Sequence, residues 1–182
     1  MSLTDTVNNY FDKEYAGHAT TIFRDLLMNF KKIMEESPLE ENDRLMNLLA
    51  IASSLHNKSL ETFATEGLRE RGISTEQIQE AKESAAIMGM LNTYYKFKGF
   101  VAPENQDAYP RAGLRMQSFM KPQNGKEKFE MMAFSVSVVN GCPSCVSSHE
   151  KALRQLNVDP EKIHELARLA SVVKGLTVLK AE

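Results

Sequence analysis

Apolar residues recur at helical spacing along nearly the whole chain. Ile22, Leu26, Leu27, Phe30, Ile33 and Met34 fall on one helical face, and Pro38 marks the end of that helix. Further stretches of the same period cover roughly 41–56, 59–70, 75–97, 111–121, 126–140, 143–156 and 160–180. Runs rich in β-branched residues are short, and the best of them, Val136 to Val139, lies inside a longer helical pattern. The pattern predicts an all-α fold.

Laid on itself with an offset of 85 residues, the chain shows a repeat. Leu68, Arg69, Glu76, Ile78, Glu80, Ala85 and Leu91 fall on Leu153, Arg154, Glu161, Ile163, Glu165, Ala170 and Leu176, and Ile73 falls on Val158. Helix starts agree as well. Ser74 with Gln77 reads as a capping box, and its counterpart Asp159 precedes Pro160 at a first helical position. The expected organisation is a single domain over 1–182, with an N-terminal helical segment at 1–40 and a first repeat at 41–97. A connector rich in Gly, Pro and Asn follows at 98–125, and a second repeat at 126–182.

Composition narrows the function classes. A net charge of -2 and a pI near 6.1 leave no electrostatic footprint for nucleic acid. Met1 to Phe11 lacks a signal-peptide pattern, and no apolar run approaches the roughly 18 residues of a membrane span. The expectation is a soluble cytoplasmic protein. Neither a Gly-x-Gly-x-x-Gly motif nor a Walker-type loop is present, so no nicotinamide, flavin or nucleotide has an evident seat. If thiols turn over here, their electrons must come from another protein or a carrier thiol.

The chemistry concentrates in Cys142-Pro143-Ser144-Cys145 followed by His149, which holds both cysteines of the chain. In a reducing compartment such a pair is catalytic or metal-binding rather than a structural staple. The repeat places it in one copy only: Leu45, Asn57, Leu60 and Ala64 stand where the second copy has Glu130, Cys142, Cys145 and His149. Asn140-Gly141 suits a helix end with a left-handed turn, and Pro143 suits the first turn of the next helix. Cys142 is therefore expected at a helix N-terminus, where free amides and the helix dipole stabilise a thiolate. Cys145 and His149, at i and i+4, share a face about 6 Å apart along the axis.

Two orders of attack remain open on these grounds. Thioredoxin-like logic favours Cys142 as the nucleophile, whereas proximity to a base favours Cys145. If 126–140 and the helix from 143 form an antiparallel hairpin, Glu130 lies beside His149 and orients the imidazole; the competing reading is a solvated carboxylate at a helix start. Zinc is the metal alternative, with two thiolates, His149 and Glu130 as ligands. Structural zinc sites usually draw on a second Cys or His pair, however, and His18, His56 and His164 are scattered and read as surface or core residues. The methionines, among them Met88, Met90, Met131 and Met132, read as core filler, with an apolar channel beside the thiols as the alternative.

The stretch from Phe129-Glu130 through Asn140-Gly141-Cys142-Pro143-Ser144-Cys145-Val146-Ser147-Ser148-His149-Glu150 resembles the AhpD alkylhydroperoxidases of the carboxymuconolactone decarboxylase-like superfamily. Ala85 to Met90, Tyr95 to Phe100 and Leu114-Arg115-Met116 carry the resemblance over most of 40–180. It implies a duplicated helical fold assembling as a homotrimer, and reduction of organic hydroperoxides without a bound cofactor. It also implies re-reduction by the dihydrolipoyl group of a 2-oxoacid dehydrogenase acyltransferase, recharged by dihydrolipoamide dehydrogenase, and an AhpC-type peroxiredoxin as electron acceptor. By the same resemblance Cys145 attacks peroxide and becomes a sulfenic acid, Cys142 resolves it and supplies a proton, and Glu130 and His149 form a proton relay. A redox adaptor with little peroxidase activity of its own is the alternative function. One departure stands out: Ser144 lies between the cysteines where a well-known member has histidine, and a hydroxyl does not titrate near pH 7.

Overall fold

A computed structural model describes residues 3–180, so the outermost residues of the expected N-terminal segment and second repeat, 1–2 and 181–182, lie outside it. Eight α-helices follow in order: α1 (Leu3–Glu14), α2 (Thr21–Glu35), α3 (Glu41–Ser54), α4 (Lys58–Glu70), α5 (Thr75–Phe100), α6 (Lys126–Val139), α7 (Pro143–Gln155) and α8 (Pro160–Leu179). No strand occurs among the described residues, and none of these helices is long and apolar enough to cross a membrane.

Local chemistry sets the helix starts. Thr20 accepts from the Phe23 amide, Asn57 from the Leu60 amide and Asp159 from the Glu161 amide. Ser74 and Gln77 form the expected capping box. The expectation of a helix over 111–121 is corrected. That stretch holds only a single 3-10 turn at Gln117–Phe119, after another at Pro103–Ala108. Its apolar period lies behind Pro110, which has no N–H to donate, and across Gly113, held at φ 66°. α5 also runs on to Phe100, past the expected end near 97, because nothing breaks it until Val101 turns extended ahead of Pro103.

α3 and α6 form the centre. Every residue from Asp43 to Ala52 is buried in the first, and every residue from Phe129 to Ser137 in the second. A helix covered on all sides cannot be amphipathic, and its few polar groups must pair internally. The Ser135 hydroxyl accordingly donates to Asn47 Oδ1 at 2.9 Å across the α3–α6 contact. α5 and α8 each pack against both central helices, while α4 covers α3 and α7 covers α6. α2 lies on α8, so closely at Gly175 that a Cβ there would sit 2.7 Å from Leu26 Cδ2.

The triplets α3–α5 and α6–α8 share a spacing of helix starts. Each helix of the second begins 85 residues after its counterpart, and the first two also end so. Left-handed residues recur at the same offset: His56 (φ 56°) with Gly141 (φ 62°), and Gly72 (φ 73°) with Asn157 (φ 62°). The closing hydrogen bonds recur too. The Asn57 amide reaches the Ala52 carbonyl at 2.9 Å and the Cys142 amide the Ser137 carbonyl at 3.2 Å.

α1 and the turn after it lie on α2, α4 and the end of α8. Tyr10 shares a 2.6 Å hydrogen bond with Ser59 and sets its ring 5.0 Å from that of Phe63. The Tyr15 hydroxyl donates to the Leu176 carbonyl at 3.3 Å. Lys180 donates to Ser59 at 2.9 Å and pairs with Glu14. Burial raises both tyrosine hydroxyls above their ordinary value, Tyr15 to about 12.

Candidate active site

The turn Asn140-Gly141 sets the site. Gly141 takes the left-handed conformation that ends α6, and Cys142 becomes the N-cap residue of α7 with Pro143 in the first turn. A hydrogen-bond chain drawn from three helices holds this turn. Ser54 donates to Asn140 Oδ1 at 3.1 Å, Asn140 Nδ2 to Asn92 Oδ1 at 2.9 Å, and Asn92 Nδ2 to Ser137 Oγ at 3.0 Å. Lys96 adds a bond to the Asn140 carbonyl at 3.2 Å. Asn92 and Ser137 are fully enclosed, so each would carry a desolvation cost if its partner were lost.

Cys142 and Cys145 are joined in a disulfide across the first turn of α7. One helical turn on, His149 places Nδ1 2.7 Å from Glu130 Oε2, and both side chains are buried. The hairpin of α6 and α7 thus brings Glu130 to His149 rather than to Cys142. Against an ionised carboxylate, which only accepts, Nδ1 is the donor of this bond, and in a neutral ring that leaves the Nε2 lone pair for proton transfer. Cys145 lies on the same face of α7, one turn before His149.

Cys145, His149 and Glu130 open on a cavity of about 390 Å³, whose other walls are Ser144, Ser148 and Ala152 from α7, Met88, Leu91 and Tyr95 from α5, and Met116 and Phe119 from the connector. The Phe119 ring lies parallel to the His149 ring at 6.4 Å and edge-on to Phe129 at 4.8 Å. The connector is anchored where it returns to α6: the Glu80 carboxylate accepts the amides of Gln123 and Asn124, each at 2.7 Å.

Sequence reasoning placed Cys142, Cys145, His149 and Glu130 in one region, and the structure brings all four together. It missed Phe119 and the Asn92 anchor. A buried asparagine on the apolar stripe of α5 was the available signal for the second; Phe119, in an irregular segment, had none. Met88 both fills the core and lines the cavity, so the two readings of the methionines meet in that residue. His18, His56 and His164 are exposed and stand apart from the site. Among the described residues, no group of three or more His, Cys, Asp or Glu is arranged to hold a metal ion.

Comparison with known proteins places this arrangement in a family. The carboxymuconolactone decarboxylase family matches residues 111–181, the part that holds α6 to α8. The alkyl hydroperoxide reductase AhpD of Mycolicibacterium paratuberculosis is 35% identical, with 84% of each chain covered. That of Rhodococcus erythropolis is 37% identical, again over 84% of each chain. That of Anaeromyxobacter dehalogenans is 32% identical over 85% of this chain and 82% of its own. Identity at this level, across nearly the whole length of both partners, means that the chain belongs to the AhpD family.

Proposed function

We propose that the protein is an antioxidant thiol peroxidase that reduces organic hydroperoxides through a Cys142–Cys145 dithiol–disulfide cycle. One observation carries the reading: Cys145, with a carboxylate-steered imidazole one turn away, faces an apolar cavity large enough for a small organic hydroperoxide. In the reduced protein His149 Nε2 takes the Cys145 proton, and the thiolate attacks the distal peroxide oxygen. The O–O bond breaks, the sulfur becomes a sulfenic acid, and the alkoxide leaves as an alcohol with a proton from Cys142 or the relay. Cys142 sulfur then attacks the sulfenic sulfur, water departs, and the disulfide closes.

The cycle needs two electrons from outside. The dihydrolipoyl group of a 2-oxoacid dehydrogenase acyltransferase supplies them in this proposal, with an AhpC-type peroxiredoxin as a further acceptor. The names of the relatives support the peroxide chemistry, and the matched helix bounds of the two triplets support reading them as copies of one unit. A homotrimer in the cytoplasm completes the proposal.

The test is a small dose of organic hydroperoxide on two variants, followed by a sulfenic-acid probe. Cys142→Ser retains a sulfenic acid at Cys145, and Cys145→Ser forms none; the reverse labelling overturns the assigned roles. Peroxide consumption with dihydrolipoamide as reductant, in the absence of a peroxiredoxin, separates a peroxidase from a redox adaptor, which consumes peroxide only when that partner is added.

A further inference from the structure

The two sulfurs of the disulfide are not equally reachable. Cys142 is 0% exposed, whereas Cys145 is 6% exposed and lines the cavity with Ser144, Ser148 and His149. Thiol–disulfide exchange proceeds by attack on one sulfur and departure of the other, so access decides which sulfur is taken. Ser144 adds a second asymmetry. Its Oγ lies 3.6 Å from Cys142 Sγ, and a disulfide sulfur has no proton to give, so the hydroxyl is the donor. Cys142 is also the N-cap of α7, beside amides that no cysteine side-chain bond occupies.

We propose that the reducing dithiol attacks Cys145 from the cavity and that Cys142 leaves as a thiolate held by the Ser144 hydroxyl and the α7 N-terminus. The proposal rests on reading the disulfide as redox-active. One thiolate of the reductant forms a bond to Cys145 Sγ, the bond between the cysteines breaks, and its electron pair goes to Cys142. The second thiol of the reductant then attacks its own partner sulfur, closing a cyclic disulfide and releasing Cys145. The two protons of the dithiol end on the two cysteines. Ser144 thereby acquires a task that calls for a donor rather than a titrating group.

A monothiol isolates the first step. Oxidised protein is mixed with benzyl mercaptan, quenched with iodoacetamide within seconds and mapped by peptide fragmentation. The expected product carries benzyl mercaptan on Cys145 and carbamidomethyl on Cys142, in about tenfold excess over the opposite arrangement; the opposite arrangement in excess overturns the proposal. For Ser144, the rate constant of disulfide reduction by dihydrolipoamide falls about tenfold in Ser144→Ala, the scale of one hydrogen bond to a charged group. It recovers in Ser144→Thr, and the thiolate absorbance of Cys142 in Cys145→Ser shifts to higher pH when Ser144→Ala is added. Unchanged rate and unchanged titration remove the role of Ser144. Peroxide never enters these assays. A protein that carries the mercaptan on Cys145 but consumes no hydroperoxide loses the peroxidase reading while the direction of attack stands.

Discussion

At an offset of 85 residues, Ser59, Phe63, Leu176 and Lys180 on one side of the molecule match Ser144, Ser148, Leu91 and Tyr95 on the other. The second set lines an open cavity. The first set is covered: Tyr10 takes Ser59 and Phe63, Tyr15 takes Leu176, and Glu14 takes Lys180. Beneath the cover lie Leu45, Leu60 and Ala64, all fully buried, where the other half has Glu130, Cys145 and His149. The helices that carry them start at matching positions in both. A core and a candidate active site differ here by a handful of side chains and by whether α1 or the connector lies on top. Function therefore belongs to the site and not to the helices that carry it.

Paired substitutions break this comparison most directly. Cys145→Ser is expected to lower hydroperoxide turnover by on the order of 10³-fold or more, as loss of a nucleophile does. Leu60→Ala, at the matching position, costs about 2–5 kcal/mol of stability and spares turnover per folded molecule. Denaturant titration and single-turnover assays read the two outcomes. Next in size, His149→Gln lowers the rate of Cys145 sulfenic-acid formation near pH 7 by on the order of 10²-fold, and Glu130→Gln by about tenfold. A Glu130→Gln variant at full rate would mean that the 2.7 Å contact only positions α6 on α7.

Removing the cover sharpens the contrast from the other side. Tyr10→Ala costs about 3 kcal/mol and leaves a cavity over Ser59 and Phe63 that binds a small apolar probe without gaining peroxidase activity. Smaller effects follow from the turns. His56 adopts at φ 56° what Gly141 adopts at φ 62°, so His56→Gly stabilises by about 1 kcal/mol and Gly141→Ala destabilises by about 1–2 kcal/mol. The gentlest probe is alkaline pH. Tyr15 is raised to about 12 by burial, so folding favours its neutral form. Its contribution is fully present below the unfolded value near 10 and is lost as pH rises through about 12. Stability falling over that window in the native protein, and less steeply in Tyr15→Phe, is the expected result.

The helical architecture was legible because most helices carry both a period and a start signal. Ser74 with Gln77, and Asp159 with Pro160, sit where the caps were expected. The connector misled because period alone, without a cap and with Pro110 and Gly113 nearby, does not make a helix. The four polar residues of the site were legible because cysteine, histidine and glutamate have chemistry tied to their spacing. The cavity was not. Its walls come from α5, α7 and a segment without regular structure, and an apolar side chain facing a void has the same sequence signature as one facing a core. The cover over Ser59, Phe63 and Leu176 was equally hidden, since it depends on contacts such as Tyr15 to Leu176, which are 161 residues apart.

That last contact also orders events in time. Tyr15, in the turn after α1, finds its hydrogen-bond partner in α8, so during translation a side chain made early waits for a helix made late. At roughly 5–20 residues per second, 161 residues take roughly 8–30 s, far longer than a helix needs to form. Through that interval Tyr15, buried in the finished protein, lacks its partner in α8, while Tyr10 and Phe11 meet Phe63 and Phe30 as soon as those are made. The turn after α1 is therefore among the last parts of the molecule to close, although it is among the first to be made.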